Sequence, residues 1–174
     1  MLTIVLLAAL ALAALLIHVS MRPAAFRVER STFIAAPPEK VFPLINNFRD
    51  WAQWSPWDKI DPALKRDFSG ADSGRGAVYA WDGNNKVGNG RMEIIESAAH
   101  SKIIIKLDFF KPFEAHNTAE FTLAAQDGGT QVTWAMFGPN NFISKLMQAF
   151  MSMDKMVGGQ FEQGLEQMKA AAEK

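Results

Sequence analysis

General acid–base chemistry needs a titratable side chain inside a pocket, within hydrogen-bonding reach of the reacting atom. The candidates in this 174-residue chain are Arg91 and Glu93, which face the same way on one predicted strand, and Asp108, Glu114, His116 and Glu120, close by in sequence. Alternation puts Asp108, His116 and Glu120 on the polar side of their strands, where solvated cross-strand pairs account for them. His18 and His100 stand apart from one another, so no metal-ligand spacing exists. The chain has no cysteine, which removes disulfides, thiol nucleophiles and thiolate metal sites. Glycine-rich phosphate loops, nucleophile elbows and Ser/His/Asp sets are also missing. The sequence therefore nominates no catalytic residue, metal or cofactor, and binding is expected ahead of catalysis.

The apolar and amide side chains offer more. Trp51, Trp54 and Trp57 recur at intervals of three, and either ring the mouth of a cavity or plug the end of a sheet. Tyr79 and Trp81 share one face of a predicted strand. Asn117 lies on the otherwise apolar side of its strand with Ala115, Ala119, Phe121 and Leu123, and a buried amide there needs a partner such as a ligand hydroxyl, Trp134 or water. Met147, Met151, Met153, Met156 and Met168 would give the last helix either an adaptable wall or an ordinary core stripe. The expected ligand-binding set is Trp54, Trp57, Tyr79, Trp81, Asn117, Trp134, Phe150 and Met153.

Positioning these residues takes strands and helices in a definite order. Val28 to Ala36 reads as a strand ended by Pro37-Pro38, and Pro with Glu39 suits a first helical turn. Val41, Phe42, Leu44, Ile45 and Phe48 continue at helical spacing to about Asn47, and a second short helix is expected over Arg49 to Trp54. Six strands follow: Leu64 to Phe68, Ala77 to Trp81, Val87 to Ser97, Lys102 to Phe110, Ala115 to Ala125 and Gln131 to Phe137. Gly88 and Gly90 mark a bulge or bend in the third of these. After Gly138-Pro139-Asn140-Asn141 a long Asn-capped helix carries the stripe Ile143, Leu146, Met147, Phe150, Met153, Val157, Phe161, Leu165 and Met168. Gly158-Gly159 within it signals a bend or a close approach to something bulky. The fold class is α+β: a curved antiparallel sheet of about seven strands against one long C-terminal helix.

Residues 1–21 carry no charged side chain. Residues 2–19 would rise roughly 27 Å as a helix, close to the ~30 Å hydrocarbon core of a bilayer. The apolar run is too long for a signal peptide, lacks a basic n-region, and meets no good cleavage site at His18 to Pro23. A transmembrane helix over 2–19, a linker over 20–27 and one domain over 28–174 are expected. Arg22, Arg27, Arg30 and Lys40 follow the span, which places a single-pass protein's domain in the cytoplasm. Formal net charge is zero, so nucleic acid is not an expected partner.

The runs Ala35-Ala36-Pro37-Pro38-Glu39-Lys40-Val41-Phe42, Asn47-Phe48-Arg49-Asp50-Trp51 and Trp54-Ser55-Pro56-Trp57 resemble the START-like, or SRPBCC, superfamily of polyketide cyclase/dehydrase type. Gly76 to Trp81 and Gly90 to Ile94 extend the likeness, which covers about residues 28 to 172. The resemblance implies a helix-grip fold enclosing an apolar cavity for lipids, sterols, polyketides or similar molecules, and it transfers no catalytic residue. The expected function is a membrane-anchored binding module for a hydrophobic small molecule or lipid. The alternatives are a cyclase/dehydrase-like enzyme and a co-chaperone-like interaction domain; the residues do not define the oligomeric state.

Overall fold

The structure is a computed structural model that describes residues 1–140, 142, 144–146 and 152–174, apart from the side chain of Met156. Helix α1 (Leu2–Ser20) comes first and is apolar on all sides. Strand β1 (Ala25–Ile34) follows, then α2 (Pro38–Asn46) and two 3-10 turns, Phe48–Gln53 and Pro56–Lys59. The remaining strands are β2 (Lys65–Gly70), β3 (Ala77–Asp82), β4 (Asn89–Ala98), β5 (Lys102–Lys111), β6 (Ala115–Gln126) and β7 (Gly129–Pro139). Helix α3 (Met153–Ala172) ends the chain. All seven strands form one antiparallel sheet in the order β1-β7-β6-β5-β4-β3-β2, so the first strand closes against the last.

Strict alternation decides which face is concave. Ile103, Ile105 and Leu107 of β5, Ala119, Phe121 and Leu123 of β6, and Val132, Trp134 and Met136 of β7 are all buried. These are the positions that the two-residue period assigns inward. The bulge expected near Gly88 and Gly90 is present as a register shift between Asn89 and Gly90, with a second between Ile94 and Glu96. At Gly90 a side chain would strike the Asp108 carbonyl and the Trp81 ring, so the strands approach there only because the residue has none.

Three local readings are corrected. The helix expected over Arg49 to Trp54 is a 3-10 turn, opened by Asn47 whose Oδ1 accepts from the Arg49 amide, and a second such turn follows Pro56. β1 begins at Ala25, three residues inside the stretch expected to be linker. The long Asn-capped helix is not continuous: Ser152 is extended (φ −74°, ψ 140°), and its hydroxyl caps α3 by accepting from the Lys155 amide. Asn140 instead ties the two chain segments of this edge together, its amide N–H donating to the Ala24 carbonyl at 2.8 Å and its Nδ2 to Pro23 at 3.1 Å. Ile143, Met147, Phe150 and Met151 lie outside the described residues.

α3 packs along β1 and reaches α2, β7 and the Pro56–Lys59 turn. It buries Phe161, Leu165 and Met168 and leaves its other face to water. The bulky neighbour expected of the glycine pair is Arg30: a Cβ on Gly158 would collide with its guanidinium, whereas Gly159 faces open space. Arg30 lies under the helix and pairs with Asp154 at 2.8 Å and Glu162 at 2.5 Å, one helical turn to either side of Gly158. At the far end the Glu173 carboxylate accepts from the Ala35 amide at 2.7 Å.

Candidate ligand-binding site

The concave face is furnished mainly with aromatic rings. Trp134 of β7 is stacked between Phe161 of α3, with centroids 4.0 Å apart and planes 9° apart, and Phe121 of β6 at 4.9 Å. Trp54 and Trp57 meet it edge-on at 5.4 and 5.6 Å, and Trp51 at 6.5 Å. Edge-to-face and offset contacts of this kind are each worth about 0.5–1.5 kcal/mol beyond the area they bury. A second row runs Phe68, Tyr79, Trp81, Phe109 across β2, β3 and β5, with neighbouring centroids 5.1, 6.1 and 5.6 Å apart. Phe48 joins the two groups, 6.0 Å from Tyr79 and 5.3 Å from Trp51.

Of the residues expected to bind ligand, the structure thus brings Trp54, Trp57 and Trp134 together, and sets Tyr79 and Trp81 in the adjoining row. Met153 lies half-buried at the start of α3. Trp51 and Trp54 have structural work of their own. Trp51 Nε1 donates to the Ile45 carbonyl at 2.9 Å and Trp54 Nε1 to Leu44 at 2.8 Å, which satisfies carbonyls that the end of α2 would leave without partners.

Two polar groups differ. Trp134 is 3% exposed and its Nε1 has no acceptor among the described residues. Asn117 is buried on β6, its Oδ1 lodged against the Cα of Gly138, where a Cβ would displace it. No described residue is seen to hydrogen-bond its amide. Apart from Thr130, whose hydroxyl donates to the Ala36 carbonyl, the other inward side chains of these two strands are apolar.

Asp58, Arg66 and Tyr79 form a cluster that local pattern did not single out. Arg66 donates to Asp58 Oδ1 through Nε at 3.0 Å and Nη2 at 2.7 Å. Burial, with help from the Asp58 charge, pushes the Tyr79 phenol up to about 12, against the opposing pull of Arg66. The phenol therefore stays protonated at neutral pH, with a proton to donate and an oxygen that can accept. No group of three His, Cys, Asp or Glu side chains able to hold a metal is found among the described residues. A cavity of about 60 Å³ lies between Asn47–Arg49 and the β2–β3 hairpin, lined in part by Phe68 and Ala77. Pockets for drug-sized ligands start at roughly 300 Å³, so this one suits only small groups.

On the outer face His116 stands opposite Asp108 in the β5–β6 register, with Nδ1 2.7 Å from Oδ1. Asp108 is 5% exposed, more deeply covered than a solvated pair would be. Burial pushes its carboxyl up, but hydrogen bonds from His116 and Lys106 outweigh that and hold it below its ordinary value. The bond to Asp108 in turn raises His116 above 6.5. The pair's contribution is complete between the ordinary carboxyl and histidine values; it is lost as pH rises through the raised histidine value or falls through the lowered carboxyl one. Proton NMR titration should find His116 above 6.5, and Asp108→Asn should return it toward that value.

The architecture is a helix grip: a curved antiparallel sheet closed over by a C-terminal helix. A sequence profile of the polyketide cyclase / dehydrase and lipid transport family matches residues 25–173, and the chain belongs to that family. No curated protein matches it in sequence. Solved structures share the fold at low identity. Protein MLL2253 from Mesorhizobium loti is 16% identical with a TM-score of 0.62, covering 84% of this chain and 96% of its own. The Aha1 dimer from Colwellia psychrerythraea is 15% identical with a TM-score of 0.57, covering 85% and 96%. The di-domain ARO/CYC StfQ from the steffimycin biosynthetic pathway is 11% identical with a TM-score of 0.62, covering 86% of this chain and 51% of its own.

Proposed function

We propose that this protein is a membrane-anchored binding module for a hydrophobic small molecule or lipid, with its domain on the cytoplasmic side. The observation that carries the reading is the Trp134 Nε1, without a partner among the described residues on an apolar concave face, with the Asn117 amide on the neighbouring strand. A buried donor without an acceptor costs about 1–3 kcal/mol, which a carbonyl or hydroxyl on an otherwise greasy ligand would recover. Trp54, Trp57, Tyr79, Trp81 and Met153 would supply the apolar contact. Because the rings pack closely, admission of a ligand requires Phe161 and α3 to move off Trp134, against the Arg30 ion pairs. Helix α1 supports the anchoring: it is long and apolar enough to cross a membrane, with a mean hydropathy of 2.7. Native mass spectrometry of the full chain released from nanodiscs should detect a one-to-one adduct with a lipid or other apolar compound. A bare chain, together with unchanged tryptophan emission across a panel of lipids and polycyclic aromatics, would refute the reading.

A cyclase- or dehydrase-like enzyme is the second reading, favoured by the protonated Tyr79 beside Arg66 and Asp58 and by the ARO/CYC neighbour. In that case Tyr79 would donate a proton to a developing enolate, and Tyr79→Phe would abolish turnover while leaving binding intact.

A further inference from the structure

The sheet ends on two opposite rims. On one, Ala25 at the start of β1 pairs with Pro139 at the end of β7, Ala115 of β6 pairs with Phe109 of β5, and Asn89 of β4 pairs with Lys111. α1 leaves from this same rim. Only the four residues Met21 to Ala24 separate it from β1, a reach of at most about 14 Å. That reach is held short, because Pro23 and Ala24 accept from Asn140, and Lys145 Nζ lies 3.5 Å from the Ser20 carbonyl.

Large apolar side chains are exposed here. Phe110 and Phe113 bracket the β5–β6 turn at 52% and 54% exposure, and Phe142, two residues beyond Asn140, stands at 52%. The turn is buttressed: Gly88 of the β3–β4 loop lies so close to the Lys111 carbonyl that a Cβ would clash with it. The turns of the other rim, Ala35–Pro37, Ala99–Ser101 and Asp127–Gly128, contain no large apolar residue. Exposed phenylalanines on a domain of this size call for an apolar partner. The short, fastened connection to α1 determines which one is in reach.

We infer that this rim is a second membrane contact, in which Phe110 and Phe113 enter the headgroup–acyl boundary of the bilayer that holds α1. The inference rests on α1 being an anchor. The phenylalanines supply apolar area at the depth where amphipathic elements bind, and Lys111 and Lys86 beside them keep their charges at headgroup level. The contact fixes the tilt of the domain. It also brings Trp81 and Asn117, each within three residues of the rim, to the surface from which a lipid-like ligand would come.

The chain's lack of cysteine makes the test direct. Phe110→Cys, Phe113→Cys, Lys86→Cys, Asp127→Cys and Leu10→Cys would each carry an environment-sensitive fluorophore on the full chain in phosphatidylcholine nanodiscs. Labels at 110 and 113 should emit to the blue of the label at 127 and be quenched by spin-labelled lipid. The label at 86 leaves both phenylalanines in place and should show partial quenching. Water-like emission at 110 and 113 overturns the contact, as does a blue shift without lipid quenching, which would mean a protein covers the rim. The label at 10 reports separately on α1: quenching there with water-like emission at 110 and 113 keeps the anchor and removes the second contact. Water-like emission at 10 removes the anchor itself.

Discussion

Trp134→Ala should lower the unfolding free energy by about 3–5 kcal/mol, the range for deleting a fully packed large aromatic. The ring lies between Phe121 and Phe161 and receives the edges of Trp51, Trp54 and Trp57, so its loss opens a void that no single neighbour can fill. Trp134→Phe should behave differently. It keeps a ring in the stack and removes the Nε1 donor that has no acceptor among the described residues. The smaller void is then offset by release from a penalty of about 1–3 kcal/mol, and stability should stay close to that of the parent. Ligand affinity should nevertheless fall, because the proposed hydrogen bond is gone. Urea denaturation of the two variants, paired with ligand titration, separates the roles. A stability loss in Trp134→Phe as large as in Trp134→Ala would mean that the indole N–H is already satisfied in the free protein.

Gly90→Val is expected to destabilise by a different route. A Cβ at position 90 would meet the Asp108 carbonyl and lie 2.5 Å from the Trp81 ring, and neither can give way without breaking the β4–β5 register or the second aromatic row. Overpacking of this kind costs about 1–3 kcal/mol. The contrast is Gly159→Ala, which faces open space in α3 and should gain about 1 kcal/mol from helix propensity. Opposite shifts in thermal midpoint would confirm that the two glycines are there for different reasons.

Alternation and turn residues were enough to recover the succession of strands along the chain and the inward positions on β5, β6 and β7, because each such strand records its buried face in every second residue. Asn117 stood out for the same reason, as one amide in an apolar series. What was not legible depends on contacts between distant residues. Arg30 pairs with Glu162 across 132 positions, and no local period relates them. Asp58 comes from a 3-10 turn and Arg66 from β2, and nothing in their spacing ties them to Tyr79 on β3. The 3-10 character of Phe48–Gln53 comes from the Asn47 cap and from two indoles that turn back onto α2, whereas spacing alone suits either kind of helix. Nor did the tryptophan spacing reveal that the rings would fill the concave face rather than rim an opening, since that depends on Phe121 and Phe161 arriving from other elements.

Four of the five tryptophans, Trp51, Trp54, Trp57 and Trp134, belong to one cluster of edge-on and tilted rings. Indoles this close couple excitonically and pass excitation among themselves, so a couplet in their intense far-ultraviolet band should come from this spot. The protein thus carries a built-in optical gauge: the emission of this cluster responds to how Phe161 of α3 lies against Trp134.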